Sequence, residues 1–225
     1  MNADSSVRLC SLGLALLLLS PGLWAMWNAS AVNRLSQKLY GPALPVAQQN
    51  IDAWAALVQQ HAQDDIRQKL AQANQFFNAR IRFRDDKVVW QQHDYWATPV
   101  ELLRKGAGDC EDFALAKYFT LRAMGVPVEQ LRMTYVKSLT LNQAHMVLTW
   151  YATPDAVPLV LDNLQNAIVP ATQRQDLLPV YSFNGQGLWL ARPAGTSKRI
   201  NDSKKLSRWQ DLLARMRAEG FDLKE

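Results

Sequence analysis

The chain has 225 residues, 48% of them hydrophobic, which is enough apolar material for one domain with a sizeable core. No internal repeat or low-complexity segment is visible, so solenoid and biased-composition architectures are excluded. The net charge of +5 argues only weakly for nucleic acid, since no recognition motif accompanies it. Most of it lies from Ala191 onward, where nine Lys/Arg meet five Asp/Glu, as expected of a local contact with an acidic partner or membrane surface.

The N-terminus reads as an address. Arg8 precedes an apolar run from Leu9 to Leu19, 11 residues long. A bilayer needs about 20, so the run suits the core of a signal peptide better than a membrane span. Ala29-Ser30-Ala31 offers the small-x-small cleavage pattern, with Ala25 as an alternative. An uncleaved anchor is the rival reading, because Leu23 to Trp27 extend the apolar stretch; either way the globular part is exported. The expected organisation is a leader over 1–31, a domain over 32–190, and a basic segment over 191–225 carrying an amphipathic helix. Cys10 leaves with the leader, so the mature chain keeps Cys110 alone. In an oxidising compartment a single cysteine is either buried and inert or used for its thiol.

Pro45 to Gln63 has apolar residues near helical spacing, and Asp64 to Ala79 repeats the pattern. The polar-aromatic stretch from Lys87 to Thr98 reads as a loop, and Pro99 to Arg104 as a short helix or turn. Cys110 to Met124 is the clearest helix, with Gly125 and Pro127 to end it. The period then shifts to two: Leu131 to Ser138, Ala144 to Tyr151 and Pro158 to Asp162 read as strands. Pro179 to Phe183 and Gly187 to Ala191 form a hairpin around Asn184-Gly185. Leu206, Trp209, Leu212, Leu213 and Met216 line one face of a final helix. Helices first and strands after, without alternation, define an α+β fold with an antiparallel sheet.

The segment from Gly106 to Phe113, GAGDCEDF, carries the chemistry. Asp109 is a good N-cap, which puts Cys110 in the first turn of its helix. There the free N–H groups and the positive end of the helix dipole favour thiolate over thiol. Three flanking acids push the other way. A base must come from elsewhere, and outside the leader only His61, His93 and His145 are available. His61 suits a solvated helix face and His93 an aromatic loop. His145 opens a strand, and Asp162 ends the next, where it could accept a hydrogen bond from the imidazole and fix its tautomer. Spacing alone leaves this open against a surface histidine and an ordinary turn aspartate. Likewise two of the three acids Asp109, Glu111 and Asp112 read, on the residues alone, simply as caps of the helix dipole.

GDCEDFALAKYFTLRAMG, AHMVLTWY and LVLDNL, preceded by YWATPVELL, resemble the bacterial transglutaminase-like cysteine proteinases over roughly residues 45 to 190. The resemblance implies a papain-like α+β fold, N-terminal helices packed on an antiparallel sheet, with Cys110 as nucleophile, His145 as base and Asp162 as orienting acid. It implies calcium beside the nucleophile, with Asp109 and Glu111 on the matching positions and Asp112 as a third candidate ligand; oxygen donors suit calcium, and a dication would offset the acids. By analogy with transglutaminases, the Trp96 indole is a candidate second donor to an oxyanion beside the Cys110 N–H, core packing being its alternative use. The resemblance further implies a periplasmic protease that clips a large surface adhesin near its N-terminus beside a pair of alanines, releasing it and dispersing biofilm. Its controlling partner would be an inner-membrane cyclic-di-GMP receptor whose periplasmic domain blocks a cleft rimmed by Trp90, Tyr95 and Trp96. Two other classes share these residues: an acyl transferase of the transglutaminase kind, and a non-catalytic module that docks the receptor.

Overall fold

The computed structural model describes residues 29–191, 197–203 and 206–223. The apolar leader up to residue 28 lies outside these residues, and Ala29–Ala31 form the first turn of a helix, α1 (Ala29–Tyr40). α2 (Pro45–His61) starts on Pro45, whose missing N–H is no loss in a first turn. α3 (Ile66–Arg80) is capped by Asp65, whose carboxylate accepts from the Gln68 N–H at 2.9 Å. A two-residue strand, β1 (Arg82–Phe83), and a single turn, α4 (Asp86–Val89), follow, so the stretch expected to be a loop begins inside a helix. α5 (Pro99–Lys105) opens with a reciprocal Thr98–Glu101 capping box. β2 (Ala107–Gly108) then pairs parallel with β1 and leads into α6 (Cys110–Ala123).

α6 is the centre of the molecule. Ten consecutive residues, Asp112 to Leu121, are buried, as in a helix enclosed on every side. α2, α3 and α5 cover one side of it and the main sheet the other. That sheet contains β3 (Leu131–Ser138), β4 (Gln143–Trp150), β5 (Leu159–Leu161), β6 (Val169–Pro170), β7 (Leu177–Asn184), β8 (Gly187–Ala191) and β9 (Ser197–Asn201). Its order is β6-β5-β4-β3-β7-β8-β9, antiparallel throughout. The α+β architecture expected from the order of patterns is therefore the one formed.

Two details differ from the sequence reading. The β7–β8 turn has Gly185 and Gln186 at its tip, between paired Asn184 and Gly187. Asn184 stands at its base, where Oδ1 accepts from the Gln186 N–H (2.8 Å) and Nδ2 donates to the Val128 and Leu131 carbonyls. The C-terminal helix α7 (Ser207–Ala218) is amphipathic as expected, but its apolar face is built into the main core. Trp209 stacks on Phe119 (5.6 Å between ring centroids) and meets Tyr118 and Phe183 edge-on. Arg215 reaches back to Glu101, the Tyr95 hydroxyl and the Trp96 carbonyl, so α7 also fixes the loop before α5.

Candidate active site

Two glycines bring Cys110 to its place. Gly106 ends α5 with φ 65°, in the left-handed region that only glycine enters freely. Gly108 is required by close approach: a Cβ there would overlap Asp112 Oδ2 and lie 2.6 Å from Leu102 Cδ1. Asp109 holds the N-cap position, and Asp112 reaches back to its N–H (3.4 Å). Asp112 Oδ1 also accepts from the Ala97 N–H at 2.7 Å, tying the loop before α5 to the start of α6.

The electrostatics at this end oppose the thiolate. The Cys110 thiol donates to Glu111 Oε2 at 3.1 Å. Burial, then the charges of Glu111 and Asp109, push its pKa well above the usual range, against one backbone N–H, that of Met146, which favours the thiolate. The helix start thus does not prevail on its own, because two carboxylates stand closer to the sulfur than the helix dipole can offset. The same crowding acts on the acids. Burial and neighbouring carboxylates raise Asp109 and Asp112, and Asp86 is pushed up to about 6, chiefly by burial.

Carboxylate oxygens of Asp86, Asp109 and Asp112 lie within 4.8 Å of one another, and Asp109, Cys110 and Glu111 form an overlapping group. Asp86 Oδ1 and Asp109 Oδ1 are buried without a hydrogen-bond partner. Oxygen donors converging with orphaned atoms and mutual repulsion are the donor set a hard dication requires, so the residues fit calcium. Asp86 was missed in the sequence. Its only signal was the Asp85-Asp86 pair just before the stretch read as loop.

The sheet supplies the second half of the site. His145 Nε2 is bonded to Asp162 Oδ1 at 2.8 Å, both side chains being buried. Asp162 Oδ1 also accepts from the Leu164 N–H (3.0 Å), and Oδ2 from Arg174 Nη2 (2.8 Å). Burial would raise this carboxyl, but the His145 hydrogen bond and charge, the Leu164 N–H and Arg174 prevail and hold it at about 2. Behind it, Lys117 of α6 is fully buried with no hydrogen-bond partner for its Nζ, which lies over the Phe113 ring; burial lowers it to about 7, and Asp162 pulls it back only in part. Met146, whose N–H serves the thiol, directly follows His145 in β4, so the two halves meet there. Among the described residues no hydrogen bond joins Cys110 to His145; the thiol is turned to Glu111.

Other expected contributors are placed elsewhere. His61 pairs with Asp64 (2.7 Å) at the end of α2, and His93 is exposed. The Trp96 indole stacks on Phe183 (5.4 Å) and gives its N–H to Asp94 (3.1 Å), so core packing is its use in this structure. Trp90 and Tyr95 pack against each other with tilted rings (4.7 Å between centroids), and Trp90 lines a depression of about 420 Å³ with Tyr40, Glu101 and Lys105, which Cys110 does not line.

The helix-borne cysteine, the sheet-borne His–Asp pair and the order of elements define a class. Residues 48–186 match the family model described as bacterial transglutaminase-like cysteine proteinase, and the chain belongs to that family. It is similar to LapG of Legionella pneumophila, at 43% identity and a TM-score of 0.73, over 85% of this chain and 99% of that one. The EGTA-treated and calcium-bound forms of that protein, also at 43% identity, match with TM-scores of 0.74 and 0.72 over 85% and 84% of this chain and 99% of each. No curated protein compared with the chain matches it. The fold is thus that of a transglutaminase-like cysteine peptidase.

Proposed function

We propose that this protein is a periplasmic, calcium-dependent cysteine endopeptidase with Cys110 as nucleophile, His145 as general base and Asp162 as the acid that orients it. One observation carries the assignment: in a member of a cysteine proteinase family, a buried His145–Asp162 pair at 2.8 Å lies next to the backbone N–H that serves Cys110. With Nε2 engaged by Asp162, Nδ1 is the ring nitrogen left to take the thiol proton. The sulfur attacks the scissile carbonyl carbon, and the Cys110 N–H at the helix start stabilises the resulting oxyanion. The C–N bond breaks as the imidazolium returns its proton to the leaving amine. Water, deprotonated by His145, then hydrolyses the thioester and regenerates the thiol.

Asp86, Asp109, Glu111 and Asp112 are the residues that would hold calcium. Bound there, it supplies the positive charge that these carboxylates lack, beside a sulfur that must ionise. The calcium-bound form of the similar Legionella protein supports this reading.

The substrate in this proposal is a large surface adhesin, clipped near its N-terminus beside two alanines so that it is released and biofilm disperses. Export follows from the N-terminal leader. An inner-membrane cyclic-di-GMP receptor controls the enzyme by binding it through a periplasmic domain, since the nucleotide itself is cytoplasmic. Family membership and near-complete coverage of the Legionella chain support the peptidase part of this reading; substrate, export and receptor rest on the resemblance of the sequence. The test is incubation of the full chain with adhesin N-terminal fragments followed by mass spectrometry. Cleavage that Cys110→Ala abolishes is expected. Cross-linked product instead would make the chain an acyl transferase, and binding without either would make it a docking module.

A further inference from the structure

We infer that Arg174 is a positioning residue of this peptidase, fixing the Asp162 carboxylate so that Oδ1 meets His145 and the imidazole keeps Nδ1 free. The inference rests on the His145–Asp162 reading above and adds to it the residue that makes the pair rigid. Among the described residues, Arg174 and His145 are the two side chains bonded to the Asp162 carboxylate, one on each oxygen, both at 2.8 Å. The other neighbours do different things: Asn78 of α3 donates to the Asp162 carbonyl, and Lys117 of α6 makes no hydrogen bond.

Arg174 is itself held from behind. Its Nε and Nη2 grip the two oxygens of Asp176 (2.9 and 2.8 Å), and its backbone N–H bonds to the Ala171 carbonyl (3.0 Å). A planar guanidinium clamped this way presents Nη2 to Asp162 in one orientation, which a flexible ammonium could not do as firmly. Arg174 follows the turn Ala171–Gln173 that leaves the edge strand β6, so the clamp is built outside the central sheet and closes onto it. A buried ion pair is weak evidence for stability, because desolvation offsets the attraction. Its effect here is on geometry. Without Arg174, Oδ2 loses its side-chain partner, and the carboxylate is free to turn away from Nε2.

The experiment uses the full chain, labelled with ¹⁵N-histidine, and the variants Arg174→Gln, Arg174→Lys, Asp176→Asn and Asp162→Asn. The His145 Nε2–H proton, assigned by its absence in His145→Gln, should appear downfield and protected in the wild type. It should broaden or vanish in Arg174→Gln and Asp176→Asn and recover in part in Arg174→Lys. Cleavage of an adhesin N-terminal fragment should lose on the order of 10- to 100-fold in kcat in Arg174→Gln, as small misplacements of a reacting group do. KM should stay within about threefold, because no substrate contact is removed. If Arg174→Gln does not fold, Asp176→Asn carries the test, since it unclamps the guanidinium without leaving a buried charge unpaired. An unchanged resonance and kcat in the Arg174 and Asp176 variants, with both lost in Asp162→Asn, overturns the inference and leaves the triad standing. Survival of both in Asp162→Asn overturns the His145–Asp162 reading itself.

Discussion

The two ends of the site are electrostatic opposites. Around Asp162 the chain has gathered cations and donors, and a buried carboxyl is held at about 2. Around Cys110 it has gathered carboxylates, and the thiol and its acidic neighbours are pushed upward. Burial acts in the same direction at both ends, so the difference lies in the partners. The Asp162 end is completed by this chain's own residues. The Cys110 end has acids with orphaned oxygens, and among the described residues no positive charge balances them. The contrast explains why a cysteine at a helix start is not by position alone an activated nucleophile.

The strongest test of the contrast removes one group from each end. Cys110→Ala and His145→Ala should each lower cleavage on the order of 10⁴-fold or more, because members of such a unit do not act additively. Mass-spectrometric cleavage assays measure both, and wild-type turnover by Cys110→Ala would dissolve the comparison altogether. Chelation comes next. EGTA should suppress activity and calcium restore it, and calcium at about 100 times its Kd should raise stability by about 2.7 kcal/mol. Asp109→Ala and Asp86→Ala should blunt that gain in thermal melts. Full activity of metal-stripped protein would leave helix capping as the role of these acids.

A smaller effect is expected where the chain turns into α6. Gly108→Ala forces a methyl group against Asp112 and Leu102, both buried, and should cost about 1–3 kcal/mol of stability by overpacking. Denaturant unfolding checks it. A cost near zero would mean that Asp112 is free to move and is a poor ligand. The smallest effect concerns Lys117, held at about 7 by burial, below its usual 10.5. A lowered pKa means that this group's contribution is fully present above 10.5, declines as pH falls, and is gone once pH passes about 7. Wild-type stability should therefore decline from pH 9 to 7, by at most about 1.4 kcal/mol per unit from this group. Lys117→Met should flatten that slope in melts across the range; an unchanged slope would place the ammonium in contact with water.

Much of this was legible in the sequence because it is local. The change from helical to strand period gave the α+β order, and the N-cap pattern at Asp109 marked the start of the helix that carries Cys110. β9 escaped notice because Ser197–Asn201 is an exposed edge strand without alternation. Asp86 and Arg174 escaped for a different reason. Asp86 meets Asp109 and Asp112 only through the fold, and Arg174 meets Asp162 only because the chain doubles back over 12 residues, so neither sits in a pattern that its own neighbours explain. The opposition of the flanking acids to the thiolate was legible, but not that it prevails over the helix start, since Glu111 could have pointed away from its neighbour.

The grip of α7 on the loop before α5 has a consequence for assembly. Arg215 bonds to Tyr95 and the Trp96 carbonyl, and Thr98 to Glu219, contacts that span 119 to 121 residues of sequence. The next residue in that loop, Ala97, supplies the N–H that holds Asp112. Contacts of such long range form late, because the intervening chain must first be brought together. During synthesis the helix that carries Cys110 can therefore emerge and coil well before its acidic cradle has a fixed shape. A nascent peptidase of this design stays unarmed until its last helix has docked.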